Sequence, residues 1–108
     1  MIKILVFPVG DRAEVREIDG SLAAMQAIVG GYIEAVTLRT DATGTLSLIC
    51  DEEGKIKGYP RNRYLADDSG AIHDMLVGQF FGTRCDLEGE AVDLTDQDIA
   101  YLRDRFDR

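Results

Sequence analysis

The apolar and polar positions of the chain fall into short blocks punctuated by glycine, proline and aspartate. Ile2 to Phe7 is an almost continuous apolar run and Ala13 to Ile18 an alternating one, with the turn residues Pro8-Val9-Gly10-Asp11-Arg12 between them. The two runs predict an N-terminal β-hairpin. In the second run Glu14 and Arg16, with Arg12, share one parity, so one face is solvated and the strand belongs near a sheet edge. After Asp19-Gly20-Ser21, the residues Leu22, Met25, Ile28 and Val29 recur three to four apart and predict a short amphipathic helix over 21–29, capped by Ser21 and ended by Gly30-Gly31. The glycine pair reads either as helix punctuation or as a backbone cradle for an anion. Phosphate-binding loops precede a helix and this pair follows one, which favours punctuation.

Tyr32 to Arg39 and Leu46 to Cys50 predict a second hairpin around Thr40-Asp41-Ala42-Thr43-Gly44. Asp51-Glu52-Glu53-Gly54 then predicts a tight turn with Gly54 at positive φ, folding Lys55-Ile56-Lys57 back on Leu48-Ile49-Cys50 as a third strand. From Pro60 through Asp67-Asp68-Ser69-Gly70 the pattern is irregular. His73 to Cys85 is apolar on both parities around Met75-Leu76-Val77 and Phe80-Phe81, which predicts one central strand whose Gly78 and Gly82 make room for a helix or a large neighbour. Glu88-Gly89-Glu90 is a polar connection. A final helix opens at Thr95 as N-cap with acids in its first turn, puts Ile99, Leu102 and Phe106 on one face, and ends among Arg103, Arg105 and Arg108. The predicted architecture is one α+β domain over 1–108, a largely antiparallel sheet of five or six strands covered by two short helices. Two short helices leave part of such a sheet bare, so a homodimer is expected.

A chain of 108 residues with 45% hydrophobic and 30% charged residues supports one modest core. Its net charge of −8 opposes binding to duplex nucleic acid and to anionic membranes. The N-terminal apolar block is far shorter than the roughly 18 residues of a membrane span and is followed by no small-residue cleavage site. It reads as a strand, and a cytoplasmic protein is expected. Cys50 and Cys85 stand 35 positions apart without a Cys-x-x-Cys partner, which gives neither metal nor redox spacing. Buried free thiols are expected, with a disulfide between them left open.

Catalytic chemistry has little to draw on. The single histidine, His73, has Ser69, Asp68 and Asp74 close by, but no nucleophile elbow frames it, and it reads as a surface or strand-end residue. Asp51, Glu52, Glu53, Asp67 and Asp68 are suitable ligands for a hard cation, yet the spacing of a calcium loop is missing and a solvated turn is expected. No enzyme activity, metal or cofactor follows. The segment from Gly54 to Ala66 is different: Lys55, Lys57, Arg61 and Arg63 give it +4 with no acid, leaving −12 on the remainder. Two readings stand for this run. Its cations converge with Tyr59 and Tyr64 on an anionic ligand, or they pair with Asp51, Glu52 and Glu53 across the hairpin.

Gly30-Gly31-Tyr32-Ile33-Glu34-Ala35-Val36, then Cys50 to Gly58 with Pro60 and Asn62-Arg63, then Val77-Gly78-Gln79-Phe80-Phe81 and Leu94-Thr95-Asp96 resemble, in order, the family called domain of unknown function 3846. The resemblance covers most of the chain and leaves out the N-terminal hairpin. It implies a setting in phages, plasmids and bacterial mobile elements, and no catalytic residues. Two function classes follow. The first is a non-enzymatic accessory protein that binds a small anionic ligand, such as a nucleotide, through Lys55, Lys57, Tyr59, Arg61 and Arg63. The second is an acidic interaction module that presents a negative surface to a basic host protein, which requires the acids to form one continuous face.

Overall fold

The computed structural model describes residues 1–67 and 69–107; Asp68 and Arg108 lie outside the described residues. In chain order the elements are β1 (Ile2–Phe7), β2 (Glu14–Ile18), α1 (Leu22–Val29), β3 (Ile33–Asp41), β4 (Gly44–Asp51), β5 (Arg61–Ala66), β6 (Ile72–Val77), β7 (Phe80–Cys85), β8 (Ala91–Val92) and α2 (Asp96–Phe106). Six strands form an antiparallel sheet in the order β2-β1-β7-β4-β3 with β8 also on β7, and β5 and β6 form a separate pair. The α+β class and both predicted hairpins are present, and β2 lies at a sheet edge.

Strand alternation sends two sets of side chains to opposite faces of the sheet. Leu5, Phe7, Leu46, Leu48 and Phe80 point to the face that carries α2, where Leu102 is fully buried. Phe7 stacks on Phe80 at 4.7 Å between centroids, and Phe106 meets both edge-on. Ile4, Val6, Ile49 and Phe81 point the other way, under Met25, Ile28 and Val29 of α1. A Cβ on Gly82 would come within 2.5 Å of Leu102, so this glycine does make room for a helix.

Both helices start where side-chain chemistry says they should. The Ser21 hydroxyl accepts from the Ala24 N–H, and Thr95 forms a capping box with Asp98. Gly30, at φ 94°, closes α1 with its N–H on the Gln26 carbonyl, which is the punctuation reading of the pair.

The structure corrects four expectations about the backbone. Lys55-Ile56-Lys57 is not a strand: β4 is already paired with β3 on one side and β7 on the other, so it has no free edge to offer. Residues 52–58 wind instead through overlapping turns, with the Lys57 N–H on the Glu53 carbonyl and the Tyr59 N–H on the Gly54 carbonyl. Gly54 is not the positive-φ residue; Gly58 is, at φ 74°, while Gly54 is buried where a Cβ would press on Val77 and Tyr59. The segment after Pro60 is not irregular but is β5, paired antiparallel with β6. His73 to Cys85 is not one strand, because Gly78 at φ 69° breaks it and hands the chain from the small sheet to the middle of the large one.

Cys50 and Cys85 are free and half-buried, not buried. Cys85 is opposite Thr45 in the β4–β7 ladder, five residues from Cys50, or about 17 Å along the strand, too far for a disulfide.

Half of the chain's 20 acidic residues serve fold chemistry. Asp11, Asp19, Asp41, Asp51, Asp67, Asp74, Asp86, Asp93, Asp98 and Asp107 each accept a backbone N–H. Most of these bonds hold turns and caps, as between Asp41 and the N–H groups of Thr43 and Gly44, while Asp93 and Asp107 tie distant segments together at the N–H groups of Lys3 and Ala13. Arg84 holds the Asp41 carboxyl far below its ordinary 3.8, and Ser69 does the same for Asp67. For Asp51, Asp98 and Asp107 burial pushes upward, but hydrogen bonds from Lys57, Arg84 and the Ala13 N–H respectively outweigh it, and each carboxyl ends below 3.8. A depressed folded-state pKa contributes stability that is present above the unfolded value and lost as pH falls through the folded one. The urea midpoint is therefore expected to be level from about pH 7 to 5 and to fall steadily below about pH 4. A midpoint that rises on acidification would contradict this account of the aspartates.

Candidate functional site

The basic run does not stay together. Arg63 turns inward from β5, its side chain only 13% exposed, and uses every N–H of its guanidinium. Nε donates to the Phe106 carbonyl, one terminal nitrogen to the Pro8 carbonyl at 2.9 Å and to Asn62 Oδ1, and the other to the Asp11 carbonyl at 2.6 Å and to Asp107. With five donors spent, it has none left for a ligand. Asn62 beside it donates to the carbonyls of Phe7 and Gly78 at 2.8 and 2.7 Å. These two side chains pin β5 to the large sheet and to the end of α2.

Lys55 crosses to Asp74 on β6, over a cleft of about 140 Å³ that also contains Cys50. The Cys50 thiol donates to the Glu34 carbonyl, and burial, with Glu34 and Asp51 nearby, pushes it up to about 11, so it is unreactive at neutral pH. Arg61 is exposed and takes no ion pair among the described residues, and Tyr64 is exposed on the same strand. Ile56, 86% exposed, caps the outside of the turns.

Lys57 and Tyr59 do converge, and on an element far away in sequence. Lys57 Nζ lies 2.8 Å from Asp51 Oδ2 and 3.4 Å from the Gly30 carbonyl, which the Tyr59 hydroxyl also approaches at 3.4 Å. The Asp51 side chain is 1% exposed, so this is the acid-pairing reading of the run realised for one of its cations. The hydrogen bond that Lys57 donates to Asp51 raises the lysine's pKa, keeping the ammonium charged. A Cβ on Gly31 would lie 2.4 Å from Lys57 Nζ, and one on Gly30 2.7 Å from the Tyr59 hydroxyl. The glycine pair is thus the clearance through which the 52–59 turns seat on the end of α1, where a cation also complements the helix dipole. Gln79 completes the seat, its amide donating to the Ile28 carbonyl at 2.9 Å.

Beside this seat is an open groove of about 510 Å³. Ala23 and Ala27 of α1 and the backbone of Gly30 and Gly31 form its apolar part, and Gln26, Tyr32, Glu53 and Lys57 its polar rim. Tyr32 is 68% exposed. The ammonium of Lys57, held by Asp51, by the Gly30 carbonyl and against the Tyr59 ring, stands at this rim as the positive charge nearest an incoming anion. Sequence reasoning assigned Lys57 and Tyr59 to an anionic ligand and Glu53 only to a cation or an ion pair, and it gave Gln26 and Tyr32 no role in a site. The only local signal was an aromatic residue directly after a helix-ending glycine pair.

His73 Nε2 lies 2.6 Å from Asp67 Oδ2, and the Ser69 hydroxyl donates to the other carboxylate oxygen. The carboxylate sits between serine and histidine, so the histidine does not activate the hydroxyl. Among the described residues no three His, Cys, Asp or Glu side chains gather as a metal ion requires, and no helix is long and apolar enough to cross a membrane.

A search of curated proteins and a search of solved structures return no match to the chain. A family model does match, over residues 2–107, and so takes in the N-terminal hairpin that the motif resemblance left out. The matched span carries β1 to β8, both helices and every residue of the groove, and by it the chain belongs to the family described as Domain of unknown function (DUF3846).

Proposed function

We propose that the chain is a non-enzymatic, cytoplasmic accessory protein of a phage or mobile element that captures a small anionic ligand, a nucleotide in the form we favour, in the groove at the end of α1. One observation carries this reading: the groove brings an exposed tyrosine ring, the Lys57 ammonium and a glutamine amide around an apolar wall. Its volume of about 510 Å³ falls in the range of small-molecule sites, about 300–1,000 Å³. A planar base would lie on Tyr32 and the two alanines, with Gln26 and Glu53 at its edge and its phosphate toward Lys57. Of the cations first assigned to a ligand site, Lys57 keeps that role with Tyr59 as its support. Arg61 is left as a peripheral charge, while Lys55 and Arg63 serve the fold.

The acidic-module reading draws less support, because ten of the aspartates accept backbone N–H groups of the fold and are distributed along the chain.

Isothermal titration with a panel of nucleoside mono-, di- and triphosphates tests the proposal. Micromolar binding is expected for at least one of them, and Tyr32→Ala should weaken it by roughly tenfold, the scale of one base–aromatic stack. Flat titrations across the panel, or a Tyr32→Ala protein that binds as well as the parent, would overturn it.

A further inference from the structure

The two edges of the large sheet are built differently. β2 presents Glu14, Arg16 and Glu17 within five residues, the charged character that keeps an edge from pairing. β3 is nine residues long, its middle Ala35-Val36-Thr37 is uncharged and suited to a strand, and among the described residues no other strand pairs with its outer side. Its faces are fixed by its partner. Glu34, Val36 and Arg39 stand opposite Cys50, Leu48 and Leu46, while Ile33, Ala35, Thr37 and Thr40 stand opposite Asp51, Ile49, Ser47 and Thr45. The register shifts between Thr37 and Arg39, so Leu38 is an extra residue and Arg39 keeps the face of Glu34.

That bulge makes the strand symmetric about Val36. Outward from Val36 in one direction come Ala35, Glu34 and Ile33; in the other come Thr37, Arg39 and Thr40, matched face for face. We propose that a second copy of this chain pairs with β3 antiparallel, with Val36 on the two-fold axis, joining the two large sheets into one. Ala35 then faces the partner's Thr37, Ile33 faces the partner's Thr40, and Glu34 faces the partner's Arg39 in two equivalent ion pairs. Without the bulge, Glu34 would face Leu38 and the charges would be unmatched. Arg39 has room for the new bond: it lies 4.3 Å over the Tyr101 ring and makes one long contact, 3.7 Å, with Asp98. An isologous contact of this kind closes on itself, so a dimer and not a fibre results. The inference is independent of the ligand reading.

The register makes the test specific. In a protein with Cys50→Ala and Cys85→Ala, single cysteines are placed as Ala35→Cys or Thr37→Cys, and the two proteins are oxidised alone and mixed. The mixture should give the strongest disulfide dimer, and Arg16→Cys on the opposite edge should give none. Light scattering should report a dimer for the parent, and Glu34→Lys, a change at an exposed residue, should raise the dissociation constant about tenfold by setting like charges opposite each other. Circular dichroism establishes that this variant is folded. A parent protein that is monomeric at every concentration, a cross-link pattern with no preference for the mixed pair, or a dimer indifferent to Glu34→Lys would each overturn the proposal.

Discussion

Replacing Arg84 with methionine is expected to cost about 3–5 kcal/mol, a large share of the ~5–15 kcal/mol that holds such a domain folded. Arg84 is 6% exposed and, like Arg63, has every guanidinium N–H engaged. Nε and one terminal nitrogen hold the two oxygens of Asp98 at 2.8 and 2.9 Å, and the terminal nitrogens hold Asp41 at 2.8 and 3.1 Å and Thr43 at 3.1 Å. It thereby fastens β7, the β3–β4 turn and the first turn of α2 to one another. Methionine fills similar space but leaves the Asp98 carboxylate, 1% exposed, with the Thr95 N–H and the distant Arg39 as its remaining partners. Urea and thermal unfolding measure the loss, expected as a fall of more than about 10 °C in the midpoint. Adding Asp98→Asn to the variant should recover part of it, since asparagine keeps the oxygen that accepts from Thr95 and removes the unpaired charge. A midpoint that barely moves, or a second substitution that recovers nothing, would show that the corner is held by packing and not by these charges.

The parts of the fold that were legible in the sequence are those whose signals are local. Ser21 and Thr95 mark helix starts by the hydroxyl they offer, Gly30 marks an end by the φ it alone adopts readily, and turn residues mark both hairpins. The errors arise where a residue's role is set from a distance. β5 was missed because Asn62 and Arg63 break its apolar alternation, and they do so because their polar groups are satisfied by carbonyls of β1, of α2 and of the turns around them, far away in sequence. The 55–57 strand was expected because nothing local reveals that both edges of β4 are taken. The candidate site follows the same division. Its lysine and tyrosine stand out in composition, whereas their meeting with Gly30 spans 27 and 29 residues and exists only in the folded chain.

Two glycines with positive φ are expected to respond very differently to alanine, and the contrast isolates steric clash from backbone strain. Gly58, at φ 74°, has open space where a Cβ would go, so Gly58→Ala carries only the strain of the left-handed region, about 1–2 kcal/mol. Gly44, at φ 150°, opens β4 against the end of β7, and a Cβ there would stand 1.9 Å from the Cys85 carbonyl oxygen and 2.9 Å from its carbon. Both atoms are backbone, so no rotamer change relieves the overlap. β7 cannot retreat either, since β4 pairs along one of its sides and β1 and β8 along the other. The first residues of β4 would have to lift away, breaking the Thr45–Cys85 pairing and pulling the turn that Asp41 caps and Arg84 grips. Gly44→Ala is therefore expected to cost more than about 4 kcal/mol, in the range where a single substitution threatens folding. Urea unfolding of the two proteins side by side, with hydrogen exchange at Leu46 and Arg84, measures the difference. Equal losses for the two variants would mean that the β4–β7 junction yields, and that the glycine is there for its φ alone.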